Sequence, residues 1–327
     1  MHKYDVYGVG NALVDFEFEV TETRLSELGI EKGVMTLIDE DQQIILMNNL
    51  SDTQSKKSSG GSAANTIIAV SQFGGSAYYS CKVANDDTGD FYLADLQACG
   101  VDSNLNNNPR EYGHTGKCVV MVTPDADRTM NTFLGITGDI AANELDPNAI
   151  ADSTYTYLEG YLASSETGHR AAIDARDHAK QAGLKTALTL SDPNMVRFFK
   201  GNLEKMLGDG VDLLFCNELE ALEFTGMDSI SDAASALSQK ASTTCITLGA
   251  KGALIVDSGQ NFEIPAYPTD AVDSNGAGDM FAGAFLYGIT HGMSIEEAGN
   301  LASRSAAKVV GNFGARLSSE QVSGLKN

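Results

Sequence analysis

Asp273-Ser-Asn-Gly-Ala-Gly-Asp279, followed by the apolar run Met280-Phe-Ala-Gly-Ala-Phe-Leu286, is the segment that organises the rest of the chain. The small residues Gly276, Ala277 and Gly278 leave the backbone N–H groups at a helix start uncovered. Unpaired donors at the positive end of a helix dipole attract an anion. Asp279 falls in the first turn beside them, where a carboxylate can take a proton from a hydroxyl. An anion cradle next to a base is the pair that phosphoryl transfer requires. The same letters also suit a glycine turn in which Asp279 does no more than complement the helix dipole.

Outward from this segment, short β-rich runs at 4–10, 77–83, 154–162, 185–190, 211–216, 244–248 and 253–257 alternate with helical patterns at 62–73, 87–99, 168–182 and 231–240. Thr167 reads as an N-cap and Gly183 as a C-terminal stop for the third helix. Two long helices, 276–291 and 294–310, close the chain. Such alternation predicts an α/β fold with a doubly wound, mostly parallel central sheet flanked by helices. No Pro-rich linker divides the sequence, and a single domain over 1–327 is expected. Two places break the rhythm. Phe16-Glu-Phe-Glu-Val20 alternates apolar and acidic residues like a strand with one wet face. Segments 117–123 and 129–134 flank Pro124-Asp-Ala-Asp127 like a hairpin. Strands from about 12–20, 33–38 and 113–135 are expected to form a small β lid or an edge extension of the main sheet.

The 327 residues include 22 Lys+Arg against 44 Asp+Glu, a formal net charge of −22. That field repels nucleic acid and anionic membrane, so neither is expected as a partner, and any anionic ligand needs a local cluster of dipoles and cations. The five cysteines form no CxxC pair and the five histidines no zinc spacing, which fits small buried thiols in a reducing compartment. No signal-peptide pattern or bilayer-length apolar run is found, and a cytoplasmic location is expected. Gly8-Val-Gly10 fails the dinucleotide fingerprint at Leu13, which argues against a nicotinamide-dependent oxidoreductase.

Asp273–Asp279 closely resembles the C-terminal signature of the ribokinase/PfkB family of carbohydrate and nucleoside kinases, with Ser274 where the family usually has Thr. Gly60-Gly-Ser-Ala-Ala-Asn65 resembles the family's N-terminal signature, and Asn217-Glu-Leu-Glu220 its Asn-x-x-Glu element. Three such motifs in the family's order are a strong signal. The resemblance implies an ATP-dependent phosphotransferase acting on a hydroxyl of a sugar or nucleoside. Asp279 would be the base, and the amides of Gly276, Ala277 and Gly278 would hold the moving phosphoryl. Asn11 and Asp15, read as lying four apart on one face of extended chain, suit a vicinal diol, and their spacing resembles the adenosine-kinase branch. Gly60, Gly61 and Asn65 are the other expected acceptor contacts, with Arg128 at the lid tip as a phosphate clamp. Thr247-Leu-Gly-Ala-Lys-Gly252 resembles the family's nucleotide loop, so Thr247, Gly249 and Gly252 join Asn217 and Glu220 as expected ATP contacts, with Lys251 exposed. Glu220 would hold Mg²⁺ through water; Asn217 would equally serve as a helix cap. Asn194, in Ser191-Asp-Pro-Asn194, is given a supporting role. The resemblance also implies a monovalent cation such as K⁺ near Asp273 and residues 311–315. Adenosine is the first acceptor expected, with fructose, ribose or a keto-deoxy sugar acid as alternatives. A non-catalytic sugar or nucleoside sensor is the reading from another class. A homodimer through lid strands is compatible with the pattern.

Overall fold

In a computed structural model, residues 2–106, 109–125 and 127–326 are described. Ala126, in the turn expected between the hairpin strands, lies outside the described residues, as do Met1, Asn107, Asn108 and Asn327. The strands in chain order are β1 (Tyr4–Val9), β2 (Leu13–Glu19), β3 (Met35–Leu37), β4 (Ser55–Gly60), β5 (Ala77–Ser80), β6 (Asp102–Ser103) and β7 (Gly116–Val122). They continue with β8 (Arg128–Phe133), β9 (Ser153–Leu158), β10 (Lys185–Thr189), β11 (Val211–Asn217), β12 (Ala241–Thr247), β13 (Ala253–Asp257) and β14 (Gln260–Ile264).

Nine of these form one sheet in the order β14-β13-β12-β11-β10-β9-β1-β5-β6. It is parallel from β6 to β12 and antiparallel at β13 and β14. Consecutive residues on these strands feed opposite faces, as the period of two requires. Val6, Tyr157, Leu213 and Phe215 pack under helices Ser62–Gln72, Ala277–Thr290 and Ile295–Val310. Tyr7, Leu158, Leu214 and Cys216 pack under helices Glu166–Gln181, Pro193–Leu207 and Ile230–Leu237. The expected doubly wound sheet is therefore present. Ser165, not Thr167, caps the helix Glu166–Gln181, its hydroxyl accepting from the Gly168 amide; the helix starts earlier than the apolar period suggests.

The other five strands form a second sheet, β3-β8-β7-β2-β4. β4, Ser-Lys-Lys-Ser-Ser-Gly, carries no apolar residue and no β-branched one, so nothing in its pattern marks a strand. It forms because β2 offers it a free edge, in register from Leu13 with Gly60 to Phe18 with Ser55. One face of this sheet, with Phe18, Val119 and Met121, packs on the helices Glu22–Glu27 and Glu40–Asn49. The other, with Leu13, Asp15, Cys118, Val120, Met130 and Thr132, turns toward the main sheet. Glu17, expected on a wet face, is buried there instead, while Glu19 is exposed.

Candidate functional site

Parallel α/β sheets bind ligands at the carboxyl ends of their strands, where the strand order reverses. Here the reversal lies at β1, between β5 and β9. The segments leaving β1, β9, β10 and β11, with the end of β12 itself, open into one cavity of about 580 Å³, roofed by the second sheet.

Asp279 stands on its wall, in the first turn of the helix Ala277–Thr290. Gly283 of that helix packs so closely that a Cβ there would lie 2.6 Å from both Ala69 Cβ and the Thr66 carbonyl oxygen. This contact brings the helix Ser62–Gln72 alongside, and two of its side chains meet the carboxylate. Ser62 Oγ donates to Asp279 Oδ1 at 2.6 Å, and Asn65 Nδ2 donates to Oδ2 at 3.0 Å. Burial pushes the Asp279 pKa up to about 6, against the pull of Ser62, Asn65 and the Arg316 charge. The helix starts at Gly276, whose φ of 72° is left-handed and whose Cβ would strike Ala315. Among the described residues the Gly276 and Gly278 amides meet no protein acceptor. The Ala277 amide is directed at the Ser274 carbonyl oxygen at 3.4 Å, and Ala277 stands off the cavity wall. Of the three amides expected to form an anion cradle, two are thus without a protein acceptor among the described residues. Arg316 was not singled out by any motif: its Nε donates to Asn65 Oδ1 at 2.9 Å from a segment beyond the last long helix.

Across the cavity, Asn11 and Asp15 both reach the wall. They are not on one strand, since Asn11 lies in the turn before β2. The Asn11 amide nitrogen donates to Glu159 Oε1 at 3.2 Å, and Glu159 Oε2 accepts from the Ala63 amide at 2.9 Å, capping the helix Ser62–Gln72. Glu159 is buried at the end of β9 and carries no sequence motif; burial raises its pKa to about 7. Asp15 is raised to about 7 by burial, with Glu17 and Asp279 adding to the rise and Arg316 and Arg128 opposing it. The two glycines have different tasks. Gly60 stays off the cavity, and its missing Cβ makes room for the Asp15 carboxylate, which a side chain would meet at 2.3 Å. Gly61 lines the cavity at φ 100°, with the Asn11 carbonyl oxygen 2.2 Å from where a Cβ would stand.

At the far end, Asn217 and Glu220 form a reciprocal cap: Asn217 Oδ1 accepts from the Glu220 amide at 2.8 Å and Glu220 Oε2 from the Asn217 amide at 3.0 Å. Both side chains line the cavity, and burial raises Glu220 to about 7. Thr247 joins them; Gly249 and Gly252 do not. Gly252 is held at φ 93° against the Ile264 carbonyl oxygen, a packing requirement of the turn into β13. Lys251 is exposed and pairs with Glu218. From Ser191-Asp-Pro-Asn194, Ser191 and Asp192 reach the cavity and Asn194 does not. Among the described residues no three His, Cys, Asp or Glu side chains converge as a metal cage.

Arg128 is not at an exposed tip. It is buried, paired with Asp273 through Nη2 and 3.6 Å from Glu17 Oε1 through Nη1. Asp273 Oδ2 also accepts from the Gly314 amide at 2.7 Å, and Oδ1 from the Asn275 amide at 3.0 Å. The carboxylate expected to face a monovalent cation is thus occupied by a guanidinium and two amides, a donor set that does not fit the ion. The arrangement ties β8 of the second sheet to the loops around the Gly276 cradle.

No helix among the described residues is long and apolar enough to cross a membrane. The chain is similar over its whole length to solved kinases. It is 33% identical to the adenosine kinase from Sinorhizobium meliloti, with 99% of each chain covered and a TM-score of 0.91. To a probable sugar kinase from Rhizobium etli it is 32% identical, covering 100% of this chain and 98% of that one, with a TM-score of 0.92. The adenosine kinase of Saccharomyces cerevisiae is 26% identical over 96% of this chain and 97% of its own. The sequence pattern of the pfkB family carbohydrate kinases matches residues 34–322, and this chain belongs to that family.

Proposed function

We propose that the protein transfers the γ-phosphoryl of ATP to a ribose hydroxyl of a nucleoside, adenosine first among the candidates. One observation carries the choice of nucleoside over bare sugar. The cavity face of the second sheet presents Leu13, Met35, Val120 and Met130 beside Asp15, and Asn11, Gly61 and Asn65 line the same cavity. An apolar wall suits a flat base, while a carboxylate and amides suit a diol. The adenosine kinases among its relatives support the same choice.

In this reading Asp279 accepts the proton of the attacking hydroxyl, early or late according to how loose the transition state is. Being raised only to about 6, it is ionised at neutral pH and close enough to it to work as a base. The Gly276 and Gly278 amides take the charge that builds on the transferred group. The triphosphate lies toward Asn217 and Thr247. Mg²⁺ keeps most of its waters and takes few protein ligands, so Glu220 and Asp192 fit as outer contacts to a nucleotide-borne ion. That ion supplies charge neutralisation on the phosphates. Arg128 lines the cavity as well as holding the Asp273 loop, and so keeps its place as a phosphate contact. Closure of the second sheet over the cavity would exclude water. ADP release measured across adenosine, other nucleosides, fructose, ribose and a keto-deoxy sugar acid tests the proposal. Adenosine should give the highest kcat/KM; a sugar ahead of every nucleoside overturns the choice, and no ADP with any acceptor overturns the activity.

A further inference from the structure

We infer that Arg316 is a positioning residue that keeps Asp279 correctly presented to the acceptor hydroxyl by holding the Asn65 amide in place against it. The inference rests on Asp279 being the base.

An asparagine amide has a donating end and an accepting end of nearly the same shape, and its neighbours decide which way it turns. Arginine carries donors only, so the Asn65 atom 2.9 Å from Arg316 Nε must be the oxygen. The NH₂ end is then directed at Asp279 Oδ2, at 3.0 Å. The guanidinium is itself held in place: Nη1 donates to Asp95 Oδ2 at 3.0 Å and Nη2 to Ser59 Oγ at 2.9 Å. Three secondary-structure elements therefore set one side chain: the helix Asp87–Ala98, strand β4 and the helix Ser62–Gln72. Without Arg316 the amide oxygen loses the partner that anchors it, and the NH₂ end, which the carboxylate still selects, is free to shift. The hydrogen bond from Asn65 then loosens, which weakens support for the ionised form and lets the carboxylate drift from Ser62.

The other groups with an electrostatic hand in this corner are Asp15 on β2, Glu159 at the end of β9, and the Tyr157 and Tyr161 hydroxyls. Among these and Arg316, the arginine alone is a cation, and its charge helps keep Asp279 ionised.

The test is Arg316→Met, alone and combined with Asn65→Ala. We expect kcat to fall about 10–100-fold with KM for ATP unchanged, the size of a small misplacement of a reacting group. The acid limb of the kcat–pH profile should move up by about one pH unit as a favourable charge and hydrogen bond are lost. In the Asn65→Ala background, adding Arg316→Met should leave the orientation-dependent part of the kcat loss unrepeated, because the relay is already cut. If the methionine variant does not fold by circular dichroism, Arg316→Lys replaces it. A single ammonium cannot span Asn65, Asp95 and Ser59 together, so the limb should shift there too. An unmoved acid limb, or effects of the two substitutions that multiply independently, overturns the inference. Wild-type protein that releases no ADP overturns instead the kinase reading beneath it.

Discussion

Asp279→Asn keeps the shape of the side chain and removes its ability to take a proton. Ser62 Oγ, 2.6 Å from Oδ1, can still donate to the asparagine oxygen, while Asn65 Nδ2 at 3.0 Å would face an NH₂ group. One hydrogen bond is lost and one buried charge removed, so folding should be little affected. A positioned general base contributes ~10²–10⁴-fold, which at ~1.36 kcal/mol per decade is ~2.7–5.4 kcal/mol of barrier. Because the Asp279 pKa is about 6, the wild-type carboxylate is almost fully ionised above neutrality and the whole loss should be seen there. One pH unit below that value the wild type itself should run at about a tenth of its plateau, narrowing the gap between the two proteins by about tenfold. The assay is ADP release at saturating ATP and acceptor across the pH range, with ATP affinity measured separately by calorimetry. Asn217 and Thr247, on other strand ends, are untouched, so ATP affinity should hold. Turnover within tenfold of wild type, or an acid limb that survives the substitution, would refute the assignment.

Gly61→Ala should cost about 1–3 kcal/mol of stability for a non-glycine residue at positive φ, and should raise the acceptor KM, because the Asn11 carbonyl oxygen stands where the Cβ would go; urea midpoints and initial rates read both, and a stable variant with normal KM counts against the turn's role. Arg128→Met leaves Glu17 and Asp273 buried without their cation and should cost about 3–5 kcal/mol, with Asp273→Asn restoring part of it; absence of any restoration would mean the pair is not coupled. Asp15, Glu159 and Glu220 at about 7 and Asp279 at about 6 all lie above their unfolded values, so between pH ~4 and ~7 the folded protein holds protons that the unfolded chain has released. Ligand-free stability should therefore fall as pH rises through that window, and Asp15→Asn should flatten the slope; a melting temperature that climbs from pH 5 to pH 7 would contradict it.

The parallel α/β sheet was legible in the sequence because strands buried on both faces read as apolar runs, and helices between them keep a different period. The Gly276–Asp279 turn was legible for a local reason: left-handed backbone and uncovered amides demand small residues at fixed spacing. Asn217 and Glu220 were legible on the same ground, since a capping box is written within four residues. What tertiary structure alone decided are the contacts between segments far apart in the chain. Glu159 and Arg316 sit in no motif, and only folding brings one against Ala63 and the other against Asn65. Strand β4 exists because a neighbour's edge was free, not because Ser-Lys-Lys-Ser-Ser-Gly prefers extension. Arg128 reads as an arginine at an exposed lid tip until β8 lays it against Asp273, far along the chain. Local sequence sets backbone conformation and the burial pattern of each element; which charge meets which is set by packing, and a period of two or 3.6 residues carries no information about it.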